Sequence, residues 1–338
     1  MKALLLGTVS SVFLASAARA DTLAVVTDFG PIQSITAAVM QGVGTPQVLL
    51  SGADTAHSFA MRPSHAQMLQ EADIIIWTGA DLSPWLAEPI ETLAPSAATL
   101  ALLETDGWTV LPARSAHAHG EDEDHGHDEA DDHGHGEDDD HGHDEADDHG
   151  DGEADDHGHE DEAEHDGHAG AFGHDPHAWL DPAIAAVWAG HIASALETAD
   201  PANAQTYRGN ADAFIADMAA LESELAVMLA DVDMERVVLG HDTTQYFEAR
   251  FDLAPAGFVA QSDAAAPGPA RLQDLRSAVV AGTVTCVLGD AETNPGDIAT
   301  LIEGTDARTG TIDVANTAGV GYADMMRDLV RTIAACEG

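Results

Sequence analysis

The sequence predicts an α/β protein of two lobes, each a mostly parallel sheet covered by helices, joined by one long rigid helix. Three observations carry this reading. Short runs that are apolar along their whole length alternate with helical patterns before residue 115, and the same alternation resumes after residue 231. A single amphipathic pattern lies between the two sets. Strands buried on both faces and separated by helices belong to parallel sheets.

In the first lobe, Leu23 to Val26 reads as a strand and Pro31 to Val43 as a helix with proline in its first turn. Gln47 to Leu50 is a second strand, Arg62 to Glu71 a helix, and Asp73-Ile74-Ile75-Ile76-Trp77 a β-rich run. Pro84 to Leu93 is helical and Thr99 to Leu103 forms another strand. The lobe takes in residues 21–114 and 174–200. Residues 201–231 form the linking helix, where Phe214, Met218, Leu221, Leu225 and Met228 recur at steps of four, three, four and three. In the second lobe, residues 232–338, the strands are Arg236 to Leu239, Gly257 to Ala260, Val284 to Leu288 and Thr309 to Asp313. Helices fall at Thr243 to Phe251, Pro269 to Val280, Pro295 to Glu303 and Tyr322 to Ala335.

Residues 1–20 read as a secretory signal: Lys2, a mostly apolar stretch from Ala3 to Ala15, and a small-residue cleavage site at Ala18-Arg19-Ala20. The expected product is a monomeric protein exported to the periplasm, with no segment inserted in the membrane. In an oxidising compartment the two cysteines, Cys286 and Cys336, suggest one disulfide, against the alternative of two free buried thiols. The formal net charge is −48. Such a field repels nucleic acid and anionic membrane surfaces and attracts cations.

Much of that charge is concentrated in residues 115–173, which are Asp, Glu, His, Gly and Ala with almost nothing apolar. No lysine or arginine occurs from Ser115 to Tyr207. A segment of this composition cannot bury a core and is expected to be a disordered insertion. It contains a repeat: His125-Gly-His127-Asp-Glu-Ala-Asp-Asp-His133-Gly recurs from His141 through His143 to His149. The repeated His-Gly-His pairs also include His135, His157 and His159. Thirteen of the nineteen histidines fall between His117 and His168. Imidazole binds zinc, copper and nickel, and the interleaved carboxylates concentrate cations. Each ion held this way costs chain entropy, so these sites are expected to be weak and accessory.

Six histidines lie outside the tract: His57, His65, His174, His177, His191 and His241. His57, in Ala56-His57-Ser58-Phe59-Ala60-Met61-Arg62-Pro63-Ser64, falls on a loop between a predicted strand and a helix. His177 stands in Asp175-Pro176-His177-Ala178-Trp179-Leu180, where the tract rejoins the fold. His241, in Gly240-His241-Asp242, lies between a strand and the helix carrying Tyr246 and Phe247. Open α/β sheets place their ligand-binding residues at such strand-to-helix loops, so all three are expected at the edge where a cleft between lobes would lie. His65 is expected on a helix surface, His191 in helical packing or on the surface, and His174 at the site or with the tract. Trp77, Trp85 and Trp179 are expected to pack the lobes, with Trp179 able to wall the site. Asp242 and Glu248 are plausible acceptors for an imidazole N–H.

These three stretches, in this order and at these separations, resemble the solute-binding component of ABC importers for zinc and manganese. The resemblance spans the chain apart from the insertion, and an acidic, His-rich insertion ahead of the second ligand is typical of the zinc-binding branch. It implies that His57, His177 and His241 coordinate the metal. Asp313 matches the position where relatives offer an aspartate as the fourth ligand, with Asp290 and a water as the other options. Where some relatives carry an acidic residue before the first histidine, this chain has Ala56. Three imidazoles and one oxygen suit tetrahedral Zn²⁺, whereas manganese prefers more oxygen. The implied partner is the membrane permease of an ABC zinc importer. The alternatives are a manganese-binding relative and a zinc storage or buffering protein. A zinc hydrolase would need a positioned base, and the sequence holds no His-Glu-x-x-His helix; the chain is expected not to be an enzyme.

Overall fold

The computed structural model describes residues 23–50, 59–114, 173–260 and 266–338. The predicted signal, the whole acidic tract with its histidines, and His57 lie outside these described residues.

The first sheet contains β1 (Val25–Thr27), β2 (Gln47–Val48), β3 (Ile74–Trp77) and β4 (Ala98–Ala101) in the order β2-β1-β3-β4, all parallel. Register sets Val26 opposite Gln47 and Ile75, and Ile74 opposite Ala98. All four residues of β3 are buried, because helices cover both faces. The second sheet repeats this plan. β5 (Val237–His241), β6 (Gly257–Ala260), β7 (Cys286–Gly289) and β8 (Arg308–Thr311) are parallel in the order β6-β5-β7-β8. In each sheet the first strand in sequence is central and the chain reverses direction across it, so the loops leaving the sheet there diverge and open a crevice.

The helices are α1 (Gly30–Val39), α2 (Pro63–Glu71), α3 (Ala87–Leu93), α4 (Pro182–Ala199), α5 (Ala204–Leu229), α6 (Gln245–Phe251), α7 (Pro269–Ala281), α8 (Pro295–Ile302) and α9 (Tyr322–Glu337). Proline opens α2, α4, α7 and α8, where its missing N–H has no intrahelical partner to lose. The expected linking helix is α5. Its 26 residues reach about 39 Å at 1.5 Å each. Tyr207, Ala211, Phe214, Met218, Leu221, Leu225 and Leu229 form its buried stripe. Leu229 takes the buried position expected of Met228, since a residue three or four places beyond Leu225 can face the same side. Asn210 of α5 donates to the carbonyls of Val39 and Gln41 at 2.9 and 2.8 Å, while Glu224 of α5 accepts from Arg327 of α9 at 2.9 Å. The helix is thus fastened to both lobes.

Three expectations are corrected. The helix expected from Pro84 opens as a 3-10 turn, Pro84–Leu86, before α3. α6 starts at Gln245 rather than Thr243, because Thr243 N–H turns back to the His241 carbonyl. His65 is buried, not on the surface, at 6 % exposure. Its Nδ1 accepts the Arg62 N–H at 3.2 Å, taking the place that a glutamate holds in a capping box, and its ring packs 4.9 Å from Phe59.

Cys286 and Cys336 form a disulfide that ties β7 to the end of α9 across 50 residues. Closing a loop of that length contributes about 4 kcal/mol on the chain-entropy model. The Cys286→Ala, Cys336→Ala double variant is expected to lose stability of that order, read as a lower midpoint in urea titration.

Asp28, fully buried at the end of β1, accepts from the backbone N–H groups of Phe29 and Thr78 at 3.0 and 2.9 Å and from the Ser83 hydroxyl at 3.3 Å. Burial pushes its pKa up to about 6 against these hydrogen bonds. A carboxylate raised above its unfolded value favours the fold when protonated, so its contribution falls as pH rises from about 4 through about 6. The wild type is therefore expected to lose stability relative to Asp28→Asn over that interval, by up to about 3 kcal/mol, in urea titrations run at each pH.

Candidate metal centre

The loops at the ends of β1, β2, β5, β7 and β8, with the segment carrying His177, surround one cavity of about 260 Å³. Its wall is largely apolar, from Phe29, Val48, Leu50, Leu82, Trp179 and Ile312. Its donor groups are His177, His241, Asp290, Glu292 and Asp313.

His177 ends a short extended segment and caps the 3-10 turn Ala178–Leu180. The segment is pinned from several sides. Asp175 N–H donates to the Leu111 carbonyl at 2.9 Å, and the Tyr246 hydroxyl accepts from Leu111 N–H at 2.9 Å and donates to the Asp175 carbonyl at 3.2 Å. With the Gln245 amide turned so that its nitrogen faces these acceptors, it donates to Asp175 Oδ2 at 2.9 Å. Asp175 Oδ1 then lies 2.7 Å from His177 Nδ1 and accepts the His177 N–H at 2.9 Å.

His241 is the last residue of β5 and is held by the same device. Its Nδ1 lies 2.6 Å from Asp290 Oδ2, just past β7. The other oxygen of Asp290 accepts from the backbone of Glu292 and Thr293 and from the Thr293 hydroxyl, at 3.0, 3.0 and 2.8 Å. Burial raises the Asp290 pKa, but the bond to His241, the charge on that ring and the Thr293 and Glu292 donors outweigh it, leaving the group below its ordinary value. A carboxylate only accepts, so in both pairs Nδ1 carries a proton, and in the neutral ring that leaves Nε2 with the lone pair. The two imidazole centroids are 5.9 Å apart with their planes 68° apart. Two imidazoles sharing one tetrahedral zinc place their centroids roughly 5 Å apart.

The close fit of these loops is set by glycines. A side chain at Gly240 would meet Thr293 Oγ1 at 1.9 Å, and one at Gly30 would meet the Ala315 carbonyl at 2.5 Å. The first glycine lets Thr293 reach Asp290, and the second lets the first lobe touch the loop after β8.

Asp313 lines the cavity, but its oxygens also accept from Thr317 N–H at 2.8 Å, the Thr317 hydroxyl at 3.0 Å and Ala318 N–H at 3.1 Å. Asp242 and Glu248 do not accept from His241, contrary to that option. Both face Arg114, at 3.4 and 2.6 Å, and the acceptor is Asp290. Burial, with repulsion from Asp175 and Glu248, pushes Asp242 up to about 7 although Arg114 opposes it. His174 is exposed, 3.8 Å from Asp81, and His191 reaches the Asp106 carbonyl at 3.0 Å. Trp179 does wall the cavity. Glu292, which sequence reasoning passed over, brings Oε2 to 4.0 Å from His241 Nε2. Its only signal is its place two residues after the aspartate that follows β7.

Among the described residues no three His, Cys, Asp or Glu side chains converge on a metal-sized point. His57 lies outside them; the chain leaves the described residues at Leu50, on the cavity wall. Also among the described residues, no helix is long and apolar enough to cross a membrane.

A family model described as "Zinc-uptake complex component A periplasmic" matches residues 25–336. The high-affinity zinc uptake system protein ZnuA of Paracoccus denitrificans is 40 % identical over 95 % of this chain and 94 % of its own length. That of Brucella abortus is 36 % identical over 95 % and 92 %. Among solved structures, a crystal structure of ZnuA superposes with TM-score 0.70 at 16 % identity, covering 94 % of this chain and all of that one. A zinc-bound ZnuA deletion mutant gives TM-score 0.70 at 17 % identity, covering 94 % and 99 %.

Losing the carboxylate that orients a metal-ligating imidazole weakens binding 10- to 100-fold. Asp290→Ala is expected to weaken zinc binding by a factor in that range while the circular dichroism spectrum stays that of the wild type, measured by competition with a chromophoric chelator.

Proposed function

The chain belongs to the ZnuA family of periplasmic zinc-uptake components, and from that premise we propose that it captures zinc at the cavity between its lobes and hands it to the membrane permease of an ABC zinc importer. The ligands in this reading are Nε2 of His177 and His241 with His57, and Asp313 as the fourth donor, with Asp290 or a water as the alternatives. The observation that carries it is the matched pair of imidazoles, each turned into one cavity by its own buried aspartate.

The chemistry of the donors supports zinc as the cargo. Neutral imidazoles and a single oxygen suit a tetrahedral ion, and manganese would be left short of oxygen. The ion meets neutral nitrogen, so binding releases protons from any imidazole that was charged, and affinity falls below about pH 6. An apolar wall keeps water off the ion once it is bound. The reading needs no general base, and the chain acts as a carrier rather than an enzyme.

The chain is exported by residues 1–20 and works as a monomer outside the cytoplasm. The tract, residues 115–173, gathers zinc weakly and yields it to the cavity. Binding orders loops and tilts the lobes slightly, because one long helix and several interlobe hydrogen bonds resist wide closure.

A zinc titration against a chromophoric chelator tests this reading, run on the mature chain with and without residues 115–173. One tight site is expected to survive the deletion and to vanish in His241→Ala. Loss of all tight binding on deletion would make the tract the receptor and overturn the reading. So would tight binding that persists in His241→Ala.

A further inference from the structure

His177 belongs to the first lobe, yet part of what holds it comes from the second. Pro112 and His174 form an antiparallel bridge, so their neighbours Leu111 and Asp175 stand where a strand pair exchanges two backbone bonds. One of the two is made: Asp175 N–H donates to the Leu111 carbonyl at 2.9 Å. The other is replaced by a side chain. Leu111 N–H donates to the Tyr246 hydroxyl at 2.9 Å, and that hydroxyl donates to the Asp175 carbonyl at 3.2 Å. A second-lobe oxygen is thus wedged into a first-lobe strand pair.

The hydroxyl is held firmly in that place. Tyr246 is buried in the first turn of α6, just past the loop that follows His241. Its ring lies 6.0 Å from Trp108, which in turn meets Trp188 of α4 edge-on at 5.9 Å. Burial pushes the Tyr246 pKa up to about 12, so the hydroxyl keeps its donor throughout the neutral range.

Without the hydroxyl, Leu111 N–H and the Asp175 carbonyl have two courses. They close on each other, which draws the segment toward Leu111, or they stay unpaired, which loosens it. Either course reaches His177, because Asp175 Oδ1 accepts the His177 N–H at 2.9 Å and lies 2.7 Å from its Nδ1. His241 is aimed by Asp290 instead, from the end of another strand.

Resting on the reading of this cavity as the zinc site, we propose that Tyr246 is a positioning residue for zinc binding: its hydroxyl, wedged between Leu111 and Asp175, sets the segment that aims His177. The unit from β5 to α6 then carries one imidazole and places the other, so the two rings meet the ion as a preset pair.

The test is a double-mutant cycle on the full-length protein, with zinc affinity measured by chelator competition and the melting temperature of the metal-free protein measured alongside. Tyr246→Phe keeps the ring and its packing and removes only the hydroxyl. It is made in the wild type, in Asp175→Ala and in Asp290→Ala, with His241→Ala as the control for the site itself. In the wild type it is expected to weaken zinc roughly three- to tenfold, the effect of one net hydrogen bond. In Asp290→Ala the same factor is expected, because that aspartate aims the other ring. In Asp175→Ala the factor is expected to shrink below about twofold, since the link from the hydroxyl to His177 is already cut. If Tyr246→Phe lowers the melting temperature and leaves the affinity unchanged, the hydroxyl only supports the fold and the proposal fails. If its factor is equal in all three backgrounds while His241→Ala abolishes tight binding, the hydroxyl does not act through His177, and the proposal fails with the cavity reading intact. If His241→Ala leaves tight binding in place, the cavity is not the zinc site, and the role of Tyr246 falls with it.

Discussion

The structure depends on the way Trp179 crosses from one lobe into the other. Its indole N–H donates to the Val314 carbonyl at 2.8 Å, and its own carbonyl accepts from the Tyr322 hydroxyl at 2.7 Å. Its ring meets Phe29 edge-on with centroids 4.7 Å apart. A buried indole must satisfy its N–H, and here it does so by joining the 3-10 turn Ala178–Leu180, which contains it, to the loop after β8. Two residues away, His177 inherits this fixed position. The same apolar core runs from Ile32 and Trp188 of the first lobe through Leu221 of α5 to Leu329 of α9. Lobes that share a core cannot swing far apart without exposing it, so the cavity between them is held largely in its final shape.

Given that frame, the remaining polar groups in the seam have little freedom. Arg250 of α6 makes a two-point pair with Asp181, the residue that caps α4, at 2.9 and 2.8 Å. Asp181 therefore satisfies the first turn of a first-lobe helix and anchors a second-lobe helix at once. Both histidines follow an economy of the same kind, each aspartate orienting a ring while also accepting backbone donors. Removing one such group breaks several contacts together, so single substitutions here are expected to be non-additive with their neighbours.

Much of the fold was legible because its signals are local. The all-apolar β3, the spacing along α5 and the prolines opening α2 and α8 each report on a few adjacent residues. His177 and His241 were legible as partners in one cavity from their loop contexts and from the family resemblance. The orienting carboxylates divide by distance. Asp175 lies two residues from His177, whereas Asp290 is forty-nine residues from His241, and only the pairing of β5 with β7 brings it there. Asp242 and Glu248 are nearer in sequence, but Arg114, from far upstream, claims both. His65 was misplaced for a related reason: a polar residue on an amphipathic pattern reads as surface unless its capping of the Arg62 N–H is known. Sequence spacing reveals which residues share an element, and it is silent on which side chain wins a shared partner.

The roots of the acidic tract bear on how it could serve the cavity. Pro112 and His174 pair in an isolated antiparallel bridge, and Asp175 N–H reaches the Leu111 carbonyl at 2.9 Å, so the two ends of the insertion are held side by side. Chain inserted between adjacent ends adds closure entropy only slowly with length, which lets a long segment sit there at small cost to the fold. The exit root is also three residues from His177. On the proposed reading, an ion released by the tract meets the cavity as an intramolecular partner rather than as one arriving from bulk solution. The negative charge of the tract raises the rate at which cations arrive. It does not set where they finally reside, because that distribution follows the difference in affinity, tenfold for each 1.4 kcal/mol. On the proposed reading, a weak tract feeding one tight site would therefore drive zinc one way, with the largest advantage when free zinc is scarce enough for arrival to limit loading.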